Sequence, residues 1–141
     1  MIVLDTNVVS EPLKASASPA VVAWLDRQAA ETLFLTATSL SELLVGVEIL
    51  ADGRRKSGLA AALDELVNRL FATRILPFDE AAAKTDAALV ARARSGGLAI
   101  SVSDGQIAAI AITHGFAVAT TDATPFTAAG APTINPWVGG S

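Results

Sequence analysis

The sequence predicts an α/β fold, an α/β/α sandwich with a central, largely parallel sheet flanked by helices. Two observations carry this. Short apolar runs of strand length alternate with longer stretches that open on capping residues and close on glycine, the pattern of parallel strands joined by crossover helices. Acidic residues also recur beside those runs, and open parallel sheets gather their ligands beyond the carboxyl ends of the strands.

In chain order, Ile2 to Leu4 is the first strand, and Asp5-Thr6-Asn7 ends it. Asp5 is placed to cap a short helix through Thr6 to Glu11. Ser18-Pro19 opens a helix toward Trp24 and Ala30, with proline where its missing N–H costs nothing. Trp24 suits that helix's buried face. Leu33 to Thr36 is the second strand; Ser39 then opens a helix toward Leu50, and Ser57 starts another. Ile75 to Phe78 is the third strand. Asp79-Glu80 begins a long alanine-rich helix that Gly96-Gly97 ends, and Ser103 begins one that His114-Gly115 ends. His114 is explained by the negative end of that helix rather than by metal binding. Ala117 to Thr120 and Thr133-Ile134 complete the strands.

At 141 residues, without internal repeat or long linker, residues 1–141 have the organisation of one domain. Such a chain buries roughly 70% of its unfolded surface and needs no disulfide. It has no cysteine, which excludes thiolate metal sites and cysteine nucleophiles and fits the reducing cytoplasm. The apolar start breaks into charge at Asp5 and has no basic region, so it resembles a strand rather than a secretory signal. No apolar run reaches the roughly 18 residues of a membrane span, so a soluble protein is expected. The net charge of -4 argues against a general electrostatic grip on nucleic acid. Contacts to phosphate would be local, with Lys14, Arg54, Arg55, Lys56, Arg92 and Arg94 as candidates, although Arg54-Arg55-Lys56 also suits a solvated turn between helices.

Four acids stand out: Asp5, Glu42, Asp104 and Asp122. Each has an ordinary explanation. Ser39-x-x-Glu42 and Ser103-x-x-Gln106 have the form of capping boxes, Asp104 suits a helix N-terminus, and Asp122 can shape a turn. Their conjunction is different, because Asp5 and Asp122 follow strands and Glu42 and Asp104 fall in first helical turns on the same edge. Carboxylates gathered there repel unless a cation pairs them. Oxygen donors select a hard cation, Mg²⁺ or Mn²⁺. Without it, some of these acids should titrate above the usual range.

The segments Val3-Leu4-Asp5-Thr6-Asn7, Ser41-Glu42-Leu43, Ser103-Asp104 with Ile107-Ala108-Ala109, Ala119-Thr120-Thr121-Asp122 and Ile134-Asn135-Pro136-Trp137 together resemble the PIN-domain ribonucleases, most of all the VapC toxins of bacterial toxin–antitoxin systems. The likeness runs from Ile2 to Trp137. It implies a single PIN-like domain with Asp5, Glu42, Asp104 and Asp122 as catalytic and metal-holding residues, and Mg²⁺-dependent endonucleolytic cleavage of RNA. It also implies a homodimer and a cognate VapB-like antitoxin that blocks the cleft, both using the apolar helices around Leu43 to Leu50 and Leu59 to Phe71. Thr6, Asn7 and Thr121 would orient carboxylates or phosphate, or act only as local caps. Two departures bear on activity: relatives often carry aspartate where Pro125 precedes Phe126, and alanine where Gly105 follows Asp104. A noncatalytic binding module of the same fold is therefore one alternative. A Mg²⁺-dependent phosphatase is another, disfavoured because Asp5-Thr6-Asn7 lacks a second acid two residues on.

Overall fold

Five short strands, all parallel, form the sheet at the centre of the computed structural model, which describes residues 1–138. They are β1 (Ile2–Leu4), β2 (Leu33–Thr36), β3 (Ile75–Leu76), β4 (Ala117–Ala119) and β5 (Thr133–Ile134), in the spatial order β3-β2-β1-β4-β5. Ile2 stands opposite Leu33 on one side and Ala117 on the other, so β1 is central. The chain winds outward from β1 in one direction and later in the other. The crevice between β1 and β4 is the switch point at which such sheets bind ligands.

Among the described residues, seven α-helices cover the sheet: α1 (Thr6–Ser10), α2 (Pro19–Arg27), α3 (Ala37–Glu48), α4 (Arg54–Phe71), α5 (Glu80–Ser95), α6 (Val102–His114) and α7 (Ala123–Ala129). Side chains alternate across a strand, so the neighbours Leu4 and Val3 enter different cores. Leu4 packs with Val8, Trp24, Leu35, Leu43, Leu66 and Phe71 beneath α1 to α4. Val3 packs with Leu89, Ile107, Val118 and Phe126 beneath α5 to α7. Burying each large side chain contributes about 1.5–3 kcal/mol before the cost of ordering it. Ile107 to Ala111 of α6 are fully buried, and alanines there let the helix lie close to its neighbours. Among the described residues, no helix is long and apolar enough to cross a membrane.

Several expected boundaries move, each for a local reason. Thr36, not Ser39, caps α3 by accepting the Ser39 N–H at 3.0 Å, and Ser101, not Ser103, caps α6 by accepting the Asp104 N–H at 3.2 Å. Neither expected capping box forms. α4 begins at Arg54 rather than Ser57, so Arg54-Arg55-Lys56 is its first turn and not a connecting turn. β3 stops at Leu76, before Pro77, which has no N–H to extend a ladder. α2 ends at Arg27, and Ala30–Thr32 is a separate 3-10 turn. α7 was not expected; Thr124-Pro125 suits a helix's first turn as well as a loop. Asp79 caps α5 through the Ala82 N–H, and Gly115 closes α6 at φ 73°, both as expected.

Candidate active site

Asp5 sits where β1 gives way to α1, at the carboxyl edge of the sheet. Its backbone N–H still pairs with Ala119 O at 2.9 Å, extending the β1–β4 contact to the acid itself. Its side chain is 7% exposed. Oδ1 accepts the Thr6 N–H and Oδ2 the Thr120 hydroxyl, both at 2.8 Å. Burial pushes the Asp5 carboxyl above the usual aspartate range, the two hydrogen bonds oppose that, and the charges of Asp104 and Glu42 add to it.

Glu42 projects from the second turn of α3 rather than the first, because the helix begins earlier than its expected cap. The Thr6 hydroxyl lies 2.7 Å from Glu42 Oε1 and 3.1 Å from Ser39 Oγ. Having one proton, it donates to the carboxylate, and the buried Ser39 hydroxyl can donate to it in turn. Asp104 lies in the first turn of α6, half-buried. Burial raises its carboxyl, a Ser101 hydrogen bond works against this, and the charges of Asp122 and Glu42 raise it further. Asp122 is exposed beyond β4, and its N–H donates to Thr120 Oγ1 at 3.1 Å.

The structure thus gathers the four acids into an open ring at the switch point, where the charges of Asp104 and Glu42 act on Asp5 and those of Asp122 and Glu42 act on Asp104. The ion pairs among the described residues, Lys14–Glu11 and Lys56–Asp52, leave the ring unneutralised. Among the described residues, no three histidine, cysteine, aspartate or glutamate side chains are grouped closely enough to hold a metal ion by themselves. The donor type, carboxylate oxygen, is the one that Mg²⁺ and Mn²⁺ take, and these ions need few carboxylates because water and substrate oxygens fill the remaining positions. A closed cluster of histidines or thiolates, as zinc prefers, is not what these residues offer.

Thr6 touches the acids as expected. Asn7 and Thr121 instead bond to each other, Asn7 Nδ2 donating to Thr121 Oγ1 at 2.8 Å, which ties α1 to the segment after β4. Sequence reasoning missed Thr120, fully buried, whose hydroxyl joins Asp5 to Asp122. It also missed Thr38, which donates to Gln106 Oε1 at 3.0 Å and couples the helices carrying Glu42 and Asp104. Gln106 is occupied there rather than in a capping box. The only signal for either was a polar residue at the end of an apolar run.

Of the candidate cations, Lys14, Arg54 and Arg55 line one groove together with Thr6 and Glu42. The groove, about 850 Å³, runs between α1, α3 and α4 over Leu13, Leu43, Val47, Leu59 and Leu63. Lys56 is committed elsewhere, bonding Glu48 O at 3.1 Å at the end of α3. Arg92 donates to Ala129 O at 3.3 Å, and Arg94 sits in the last turn of α5, a favourable place for a cation. Gly105 has a steric reason: an added Cβ would meet Asp86 Oδ1 at 2.8 Å.

Residues 2–131 match the PIN domain family. The VapC ribonuclease Y4jK of Sinorhizobium fredii is 47% identical over 97% of this chain and 98% of its own length. Toxin FitB of Neisseria gonorrhoeae is 44% identical over 97% of this chain and 99% of its own. The crystal structure of FitAcB from Neisseria gonorrhoeae superposes with a TM-score of 0.93 at 44% identity, covering 98% of this chain and 99% of that one.

Proposed function

Because this chain belongs to the PIN-domain family, we propose that it is a metal-dependent endoribonuclease, the VapC-type toxin of a toxin–antitoxin pair. The observation that carries the reading is the ring of Asp5, Glu42, Asp104 and Asp122, mutually repelling and without a basic partner. A bound cation would relieve that repulsion. Asp5, Asp104 and Asp122 would hold Mg²⁺ or Mn²⁺, with Glu42 holding a second ion or orienting water. When bound, the ion supplies Lewis acidity that lowers the pKa of water and offsets charge on the phosphodiester.

The chain's own residues supply the rest. Thr6 and Thr120 fix the rotamers of Glu42 and Asp5, so the acceptors point one way before substrate arrives. The Thr38–Gln106 bond keeps α3 and α6 at a constant distance, which sets the width of the ring. Glu42, exposed and held at one oxygen, is the acid best placed to accept a proton from attacking water. Arg54 and Arg55, on the rim of the groove, meet backbone phosphates flanking the cleaved bond.

The groove itself is where an antitoxin would act. An amphipathic segment laying its apolar face on Leu43, Val47 and Leu63 could bring a basic side chain to Glu42 and an acidic one to Arg54 or Arg55. Such a segment would block the ring while matching the charges at both ends. Leu44 and Val45 of α3 and Ile49 just beyond its end, all exposed, would supply apolar surface for a homodimer. The cytoplasm is the compartment in which such a pair would meet RNA.

The test is cleavage of total RNA by the purified chain, with Mg²⁺, with Mn²⁺ and with chelator. Cleavage that requires the ion and stops when the neighbouring small gene product is co-purified is the expected result. Cleavage that persists in chelator would sink the metal reading, and release of phosphate from small monoesters without RNA cleavage would sink the ribonuclease reading.

A further inference from the structure

On the side of the ring away from the groove lies a second cleft, of about 440 Å³, bounded by the segment before α6 and by α7. Asp104 and Asp122 form its inner end, and Leu98, Ile100, Pro125 and Ala128 form its walls. Its volume is in the range of small-molecule sites. No lysine or arginine lines it. Beyond the two acids, therefore, nothing in the lining would hold a phosphate. A flat, neutral ring with polar edges suits it better, stacking on the apolar walls with the Ser101 and Thr124 hydroxyls within the lining.

Both walls are held in place. The turn that delivers Leu98 closes α5 through the Leu98 N–H to Ala93 O at 2.8 Å, with Gly97 at φ 78°. The far end of α7 is tied to α5 by Arg92 on Ala129 O. Leu98 nevertheless remains 48% exposed, an apolar side chain at the mouth of a preformed cleft.

We propose that this cleft takes the nucleobase adjacent to the scissile phosphate and thereby sets part of the cleavage preference. The proposal rests on the reading of the acid ring as the centre of RNA cleavage. A phosphodiester on the ring has one neighbouring nucleotide within reach of Asp104 and Asp122, and its base must leave the acidic floor. The part of the cleft beyond the two acids, lined by Leu98, Ile100, Pro125 and Ala128, is the space open to it. The base enters unpaired, because the cleft admits a ring and not a duplex.

The test has two arms. Purified protein with Mg²⁺ is titrated with AMP, GMP, CMP, UMP and ribose 5-phosphate, and binding is followed by calorimetry. At least one nucleotide should bind about tenfold more tightly than ribose 5-phosphate, the scale of one buried apolar contact. Ala128→Trp, which fills the cleft, and Leu98→Ser, which strips one wall without adding bulk, should each remove that increment and leave ribose 5-phosphate unchanged. Equal binding of all five probes by the unaltered protein, or an increment that survives both substitutions, overturns the proposal. In the second arm, cleavage sites are mapped in RNA of random sequence, and the preference next to the cut should flatten in both variants; an unchanged map overturns it. RNA cleavage with base-independent binding removes the pocket and leaves the nuclease, whereas base-dependent binding without cleavage removes the nuclease and leaves a nucleotide pocket.

Discussion

On the α3–α4 side of the acid ring the surface is a groove of about 850 Å³ with Lys14, Arg54 and Arg55 on its lining; on the α6–α7 side it is a cleft of about 440 Å³ with no cation. The two share a boundary of carboxylates and little else. Each is suited to a different part of a charged polymer: cations attract phosphates at a distance and without regard to sequence, whereas a neutral, shaped wall acts only on contact and on a particular group. Under the function proposed above, this division would let a net-negative protein hold a polyanion on one surface and discriminate on the other. Under the same proposal the apolar floor of the groove would receive the antitoxin segment, so one groove would serve two ligands in turn.

The largest effect should come from the shared boundary. Asp104→Asn removes a carboxylate charge from the proposed metal site and from the lining of the cleft, and RNA cleavage should fall by about 10³-fold, the several kcal/mol a bound ion supplies. The fold should survive, since the change relieves repulsion in the metal-free state. Thr120→Val deletes the hydroxyl joining Asp5 to Asp122 while keeping the side chain's shape, and should cost about 10–100-fold in Mg²⁺ affinity or activity. Because it acts through the carboxylates, higher Mg²⁺ should partly restore the rate; a loss indifferent to Mg²⁺ would point to misfolding instead.

Arg54→Ser with Arg55→Ser tests the groove alone. RNA affinity should fall several-fold, and the slope of log affinity against log salt should shrink by about one for each phosphate that is no longer neutralised. Cleavage-site preference should stay as it was; a changed preference would break the division between the two sides. The smallest effect concerns pH. Asp5 and Asp104 are raised in the folded chain, so the folded state holds more protons than the unfolded one between the ordinary aspartate value and the raised ones. Metal-free protein should therefore lose stability as pH rises through that window, and saturating Mg²⁺ should abolish the loss. Thermal midpoints measured across acidic pH with and without the ion check this, and a midpoint rising with pH in the metal-free chain would contradict it.

Much of this arrangement was legible residue by residue. The strands at Ile2 to Leu4 and Leu33 to Thr36 are apolar runs bounded by polar residues, and the acids beside the strands follow from where chain segments end. Asp79 and Gly115 do what such residues do at helix ends in almost any context. The helix starts at Thr36 and Ser101 were harder. In both cases two hydroxyl residues lie close together, and either can serve as a cap by local rules alone. Ser39 loses that role because its hydroxyl is buried against Thr6, 33 residues earlier. α7 was hidden because Asp122 to Pro125 has the composition of a turn, and only Phe126 and Ala129, buried under α6, show why it is a helix.

The amino-acid sequence by itself determined the alternation of elements, the parallel character of the sheet and the identity of the four acids, since these depend on periodicity and on neighbours along the chain. Tertiary structure decided what the acids do to one another. Thr120 reaches Asp5 across 115 residues, Thr38 reaches Gln106 across 68, and Thr6 reaches Glu42 across 36. No local pattern encodes these pairings, because each exists only once the strands have taken their order and the helices have packed on either face. The same packing separated a groove that carries cations from a cleft that carries Asp104 and Asp122, using residues that are ordinary one at a time.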